Sequence, residues 1–121
     1  MNIAPCGRQC TTKERKIFHD FDEIHKIRVN MIKAMKEEFQ DVELSYAIGG
    51  QISFDVYPVG WDKSFCLSRL PQNKFKEIHF FGDQTQPGGN DYEIFEHPMT
   101  IGHVVNNFND TKKILTEMFN L

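Results

Sequence analysis

Phe80-Phe81-Gly82-Asp83-Gln84-Thr85-Gln86-Pro87-Gly88-Gly89-Asn90-Asp91 is the stretch that decides the fold. With Ile78 and His79 before it, its apolar start predicts a short buried strand that stops at a glycine and meets an acid at once. In open α/β sheets ligands gather just beyond the carboxyl ends of strands, and Asp83 falls at that place. The loop that follows is built from Pro87, Gly88 and Gly89 and delivers a second acid, Asp91. Two carboxylates held by tight turns suit a hard cation such as Mg²⁺, which takes oxygen ligands and carries phosphate on its open positions. Gly-Asp and Gly-Gly pairs also mark ordinary hairpins, so the spacing alone leaves both readings open.

Upstream, Thr11-Thr12-Lys13-Glu14 predicts a capping box and a helix behind it, interrupted around Asp20 to Glu23. The helix resumes with Ile24, Ile27, Met31, Met35 and Phe39 in one apolar stripe, expected to face the core or a dimer partner. Lys26, Arg28, Lys33, Lys36, Glu37 and Glu38 read as a solvated face. Next come Glu43 to Ile48, the pair Gly49-Gly50, and a clear alternation. Ile52, Phe54 and Val56 point one way; Gln51, Ser53, Asp55 and Tyr57 point the other. The glycine pair between two such runs predicts a hairpin or sharp bend, and Pro58 ends the second run.

A second helix is expected from Asp62 to Leu70, stopped by Pro71. Beyond Asp91 a strand near Gly102 to Val105 precedes a closing helix capped around Asn109 or Asp110. The pattern divides near Trp61. Residues 1–61 read as helix plus antiparallel strands, and 62–121 as strand, loop, strand and helix. His19, His25, His79 and His103 show no triad or metal spacing; His79 and Cys66 are expected in the core.

Composition narrows the function classes. The chain has 121 residues, 40% of them hydrophobic, with eleven Phe to supply a core. A net charge of -3 and a pI near 5.9 argue against a nucleic-acid surface. No run approaches the roughly 18 apolar residues that span a bilayer, and Met1 to Pro5 lacks the regions of a signal peptide. Cys6, Cys10 and Cys66 are too few for a disulfide framework, which points to reduced thiols and a cytoplasmic protein. Cys6 and Cys10 have no second ligand pair at zinc spacing.

Three motifs carry a family resemblance. Gly82-Asp83-x-Thr85-x-Pro87-Gly88-Gly89-Asn90-Asp91 resembles the fourth signature of eukaryotic-type phosphomannomutases of the haloacid dehalogenase superfamily. Gly49-Gly50-Gln51-Ile52-Ser53-Phe54-Asp55-Val56-Tyr57-Pro58, continuing to Gly60-Trp61-Asp62-Lys63, is similar to a second family segment. Pro5-Cys6-Gly7-Arg8, with Glu14-Arg15 soon after, is similar to a third. The resemblance runs from Asn2 to Phe119 and is to the carboxyl-terminal half of such a protein. It implies an α/β fold: an α+β cap portion with antiparallel strands in 1–61, then the last part of a Rossmann-like core in 62–121. The family's nucleophile lies in an Asp-x-Asp-Gly-Thr motif, and this sequence has none.

By resemblance, Arg8 and Arg15 grip the substrate phosphate distal to the reacting one, as the planar guanidinium suits phosphate oxygens. Each could equally be a surface arginine paired with Glu14 or Asp20. Ser53 and Asp55 share one strand face and are implied on the sugar hydroxyls. Lys63 is implied to neutralise the phosphate and the phosphorylated aspartate. Asp83 is implied as a ligand of catalytic Mg²⁺, with Asn90 and Asp91 organising the loop or orienting Lys63. A second cation loop of the family falls at Phe95 to Thr100, where His97 stands in place of an acid and Met99 in place of a common Arg. Imidazole suits Mg²⁺ poorly, so weak or no binding is expected there, through the Phe95 carbonyl and Thr100 hydroxyl.

The implied parent activity interconverts mannose 6-phosphate and mannose 1-phosphate through a hexose 1,6-bisphosphate. It supplies activated mannose (GDP-mannose) for glycosylation, in a homodimer joined through the cap. Without the nucleophile, this chain by itself is expected to be inactive. The alternatives are a non-catalytic module that binds sugar phosphates or dimerises, and part of a sugar phosphatase of the same superfamily.

Overall fold

The computed structural model describes residues 1–120. Strand β1, Asn2–Ile3, leads through a turn into helix α1, Thr12–His25. The Thr11 hydroxyl accepts the Glu14 N–H at 3.3 Å, while the Thr11 N–H donates to the Glu14 carboxylate at 2.8 Å. The capping box thus satisfies two of the donors that a helix start leaves over.

The helix is not interrupted at Asp20 to Glu23. It breaks later, at Lys26, whose φ of +55° turns the chain into helix α2, Ile27–Glu38. Asp22 is the cause. Its carbonyl accepts the Lys26 N–H at 2.7 Å and closes α1, while its carboxylate accepts the Arg28 N–H at 2.9 Å and opens α2. Lys26 cannot cap α2 with its own side chain, so an acid from the previous helix does so.

Arg28 overturns the solvated-face expectation, being only 3% exposed. Its guanidinium donates to Asp22 at 2.6 Å and to the carbonyls of Gly50 and Ser53 at 3.2 and 3.1 Å. The helix pair is pinned to the sheet by charge, not by the apolar stripe. Ile24, Met31 and Phe39 of that stripe are exposed, while Ile27 and Met35 are half-buried.

Strands β2, Leu44–Gly49, and β3, Ser53–Pro58, form an antiparallel hairpin, with β1 on the far side of β3. Gly50, at φ +60°, makes the turn that a side chain would strain. Ala47, Ile52, Phe54 and Val56 form the core of this part, and Phe54 is fully buried. Ser53, Asp55 and Tyr57 occupy the opposite face, half-buried, as the alternation requires.

A 3-10 helix, Lys63–Arg69, replaces the α-helix expected from Asp62 to Leu70. Asp62 caps it by accepting the Ser64 N–H at 2.8 Å, and Leu67 is the residue that it buries. Cys66 is consequently exposed, contrary to the core expectation. Strand β4, His79–Gly82, pairs in parallel with β5, Ile101–Val104, across the loop and the short helix α3, Tyr92–Phe95. His79 is half-buried, 2.9 Å from His103 on the neighbouring strand. Helix α4, Phe108–Phe119, starts two or three residues earlier than expected, because Asn107 is the cap and accepts the Asn109 N–H at 2.9 Å.

The glycine-rich loop joins the two sheets. Loop residues Gly88 to Asn90 lie along the free edge of β2: the Ile48 N–H donates to the Gly88 carbonyl at 2.8 Å, and the Asn90 N–H to the Ile48 carbonyl at 3.0 Å. That docking sets the glycine-rich loop against the hairpin. Helices and strands together make a mixed α/β arrangement.

Candidate functional site

Asp91 organises the loop beyond β4. It is 4% exposed; one carboxylate oxygen pairs with Lys63, and the other accepts the N–H groups of Asp83 and Gln84 at 3.2 and 3.1 Å. A carboxylate so held ties the end of β4 to the end of the loop and aims the Lys63 ammonium at the same place. The Asp83 side chain stays exposed, at the mouth of a cleft of about 370 Å³ lined also by Lys63, Asn106, Asn107 and Thr111.

From Lys63 a hydrogen-bonded track runs onto β3. Lys63 donates to the Asn90 side-chain oxygen at 3.4 Å, and the Asn90 amide donates to Asp55 at 3.3 Å. Asp55 also accepts from the Asn2 amide at 2.8 Å, and that amide reaches the Ser53 hydroxyl at 3.1 Å. The register Asn2↔Asp55 between β1 and β3 makes this possible. Ser53 then borders a hollow of about 230 Å³ whose other walls include Arg8 and Arg15. Asp55, Lys63 and Asn90 together line a third hollow, of about 260 Å³, beside Tyr57 and Asp62. Burial, and then the charges of Glu93, Asp62 and Asp55, push the Tyr57 phenol up to about 12, so it stays protonated at neutral pH.

Glu14 and Asp20, the acids the sequence offers to these arginines, are engaged elsewhere. Glu14 closes the capping box and Asp20 pairs with Lys16 at 2.9 Å. Arg15 instead donates to the carbonyls of Cys10 and Arg8 at 3.0 and 3.2 Å, holding the turn that presents Arg8, itself exposed. Arg8, Arg15 and Ser53 therefore cluster at one end of the track, Lys63, Asp83 and Asp91 at the other, with Asp55 and Asn90 between.

The Phe95–Thr100 segment meets the track through its backbone, where the Phe95 N–H donates to the Asp91 carbonyl at 2.9 Å. The Thr100 hydroxyl sits 2.5 Å from the Ile94 carbonyl and 3.0 Å from that of His97, and the His97 ring accepts the Met99 N–H at 3.2 Å. Its polar groups are turned on one another.

Among the described residues no three His, Cys, Asp or Glu side chains converge into a metal cage. Magnesium does not require one, since it takes one or two carboxylates and completes its shell with water and phosphate oxygens. The exposed carboxylate of Asp83 fits as one such ligand; among the described residues Asp91, the nearest acid in the loop, is committed to Lys63 and the loop N–H groups.

Two contributors escaped the sequence reading. Asn2 has no local signal, because its partners lie on a strand more than fifty residues away and appear only with the register. Asp22 was missed because its role depends on where the helix breaks. Gly82 has a legible reason: a Cβ there would meet the Asp91 carboxylate and the Phe80 ring, each at 2.7 Å. Gly82→Ala is expected to destabilise by about 1–3 kcal/mol through overpacking, measured by urea denaturation; an unchanged midpoint would contradict this packing.

The family described as eukaryotic phosphomannomutase matches residues 1–121. A phosphomannomutase of Drosophila melanogaster is 59% identical over 122 residues, covering 100% of this chain and 48% of that protein. One from Saccharomyces cerevisiae is 55% identical over 121 residues, again covering 100% and 48%. Phosphomannomutase 1 of Dictyostelium discoideum is 52% identical over 120 residues, with 98% and 48% covered. The chain spans about half the length of these curated relatives. With its motifs set along one polar track and its whole length matched, the chain belongs to the eukaryotic phosphomannomutase family.

Proposed function

We propose that this chain supplies the sugar-phosphate grip and part of the catalytic electrostatics for interconversion of mannose 6-phosphate and mannose 1-phosphate. The observation that supports it best is the track itself: a cluster with two arginines at one end, and an ammonium with a free carboxylate at the other, joined by hydroxyl, carboxylate and amide groups. Arg8 and Arg15 take the distal phosphate with their N–H forks. Ser53 and Asp55 read the sugar hydroxyls. Asp55 is held by Asn2 and Asn90 but keeps lone pairs for a hydroxyl, since a carboxylate offers about four acceptor sites. Lys63 balances charge on the reacting phosphate, and Asp91 keeps it aimed.

Magnesium, with Asp83 as one ligand, would add positive charge at that phosphate. A hexose 1,6-bisphosphate is the activator that the grip must hold either way round. The cytoplasm, a homodimer joined through the cap, and supply of GDP-mannose complete the reading; no helix among the described residues is long and apolar enough to cross a membrane.

The only Asp-x-Asp in the sequence, Asp20-Phe21-Asp22, lies within α1 and is followed by Glu23 and Ile24. Asp22 is buried against Arg28, so this pair is no nucleophile. By itself the chain binds but does not turn over. In a coupled mutase assay it is expected to show no activity alone, and activity when the half of a family member that carries Asp-x-Asp-Gly-Thr is added. Turnover by the chain alone would contradict the account, as would silence on mixing when the two halves bind each other. At the second cation loop, Mn²⁺ soaked into crystals should leave the region of His97 weakly occupied; strong density there would overturn that part.

A further inference from the structure

Two thiols flank Arg8 and take no part in the reading above. Cys6 and Cys10 are both half-buried at the turn in which the Gly7 N–H donates to the Ala4 carbonyl at 2.9 Å. The Cys10 thiol donates to the Cys6 carbonyl at 2.9 Å. The Cys6 thiol is pushed above its ordinary value by burial first, and then by a hydrogen bond with the Cys10 side chain and by its charge. The Cys10 sulfur therefore lies against the backbone of Cys6, four positions away in the same turn, which brings the two thiols within reach of each other. Cys66 sits exposed on the 3-10 helix, in the other part of the chain.

We infer that Cys6 and Cys10 form a thiol–disulfide modification site, closed by exchange with a low-molecular-weight disulfide and clamping Arg8 inside a small ring. The Cys10 thiolate attacks one sulfur of the small disulfide; that S–S bond breaks and one small thiolate leaves, taking up the Cys10 proton. Cys6, whose thiol burial keeps protonated, acts second. Its sulfur attacks the Cys10 sulfur of the mixed disulfide, and the second small thiolate leaves with the Cys6 proton. Two protein thiols are oxidised and one disulfide is reduced to two thiols. Arg15 holds the carbonyls of Cys10 and Arg8, so the segment is already curved when the bond forms. The site stands whether or not the chain binds sugar phosphates; if it does, the ring limits how one of its two arginines moves.

The test uses the full chain carrying Cys66→Ser, incubated with glutathione disulfide. Intact-mass spectrometry should show loss of two hydrogens and no lasting adduct, reversed by dithiothreitol. Trypsin cleavage after Arg8 should slow about tenfold in the oxidised form, while cleavage after Lys33 is unchanged, since a residue held in a ring cannot extend into the protease. Cys6→Ser in the same background should instead keep the mixed adduct on Cys10. A persistent adduct with both cysteines present, no reaction at all, or unchanged cleavage after Arg8 once the bond has formed would each overturn the inference.

Discussion

Arg28→Met is expected to destabilise the chain by about 3–5 kcal/mol, the largest effect of any single change to its charged groups. Arg28 is 3% exposed and Asp22 4%, so the substitution leaves a carboxylate buried without its cation. It also frees the Gly50 and Ser53 carbonyls that the guanidinium satisfies. Replacing both partners, Asp22→Leu with Arg28→Met, should cost less than the sum of the single changes, because no buried charge remains. Urea denaturation of the four proteins measures this directly, and strict additivity would contradict the pairing.

The same pair sets a pH dependence. Burial alone would raise the Asp22 carboxyl, but the N–H and guanidinium of Arg28, with the Ile27 N–H, hold it below its ordinary value of 3.8. A depressed folded value means that the contribution is complete above the ordinary value and is lost as pH falls through the lower one. Stability from this pair should therefore be flat at neutral pH and fall only in acid, and the Asp22→Leu/Arg28→Met protein should lack that acid limb.

Asp91→Ala should cost about 2–4 kcal/mol, for a different reason. Lys63 is roughly half-exposed, so its ion pair contributes modestly and its loss leaves a solvated ammonium. The larger part is the stranding of the Asp83 and Gln84 N–H groups, each left without its acceptor at the end of β4. Asp91→Asn keeps an acceptor and loses the charge, and is expected to cost only about 1 kcal/mol. If Asn and Ala were equally damaging, the ion pair rather than the loop would be the source of the effect. Because Lys63 is aimed by Asp91, the Ala protein should also lose sugar-phosphate affinity, whereas the Asn protein should keep most of it.

What the sequence made legible was local. The Thr11–Glu14 capping box, the period-two alternation of Gln51 to Tyr57 and the strand expected to end at Phe81 all depend on neighbours within a few residues, and each formed, the strand running one residue further to Gly82. The failures were long-range. Arg28 reads as a surface cation on any helical wheel, because its carbonyl partners at Gly50 and Ser53 come from a hairpin turn more than twenty residues on. The helix break moved to Lys26 because Asp22 serves both helix ends, a role that propensity cannot see. Asp62 to Leu70 tightened into a 3-10 helix around the one residue it buries, Leu67.

In the candidate site, the residue types carried their chemistry on their face: arginines for phosphate, an acid beyond a strand for a cation. Their arrangement did not. That Asn2 joins Ser53 to Asp55, and that Asn90 joins Asp55 to Lys63, depends on strand register and on the docking of Gly88 to Asn90 against β2. The hydrogen-bonded track is a property of the fold rather than of any motif.

The most direct test of the central claim is a thermal melt of the chain with Mg²⁺, with and without saturating mannose 1-phosphate. A ligand that binds only the folded form adds about 2.7 kcal/mol at a concentration roughly a hundred times its Kd. The account predicts a cooperative transition that moves upward with the sugar phosphate. A cooperative transition that stays in place would contradict it, showing a folded chain whose arginines, Ser53 and Asp55 do not form a grip.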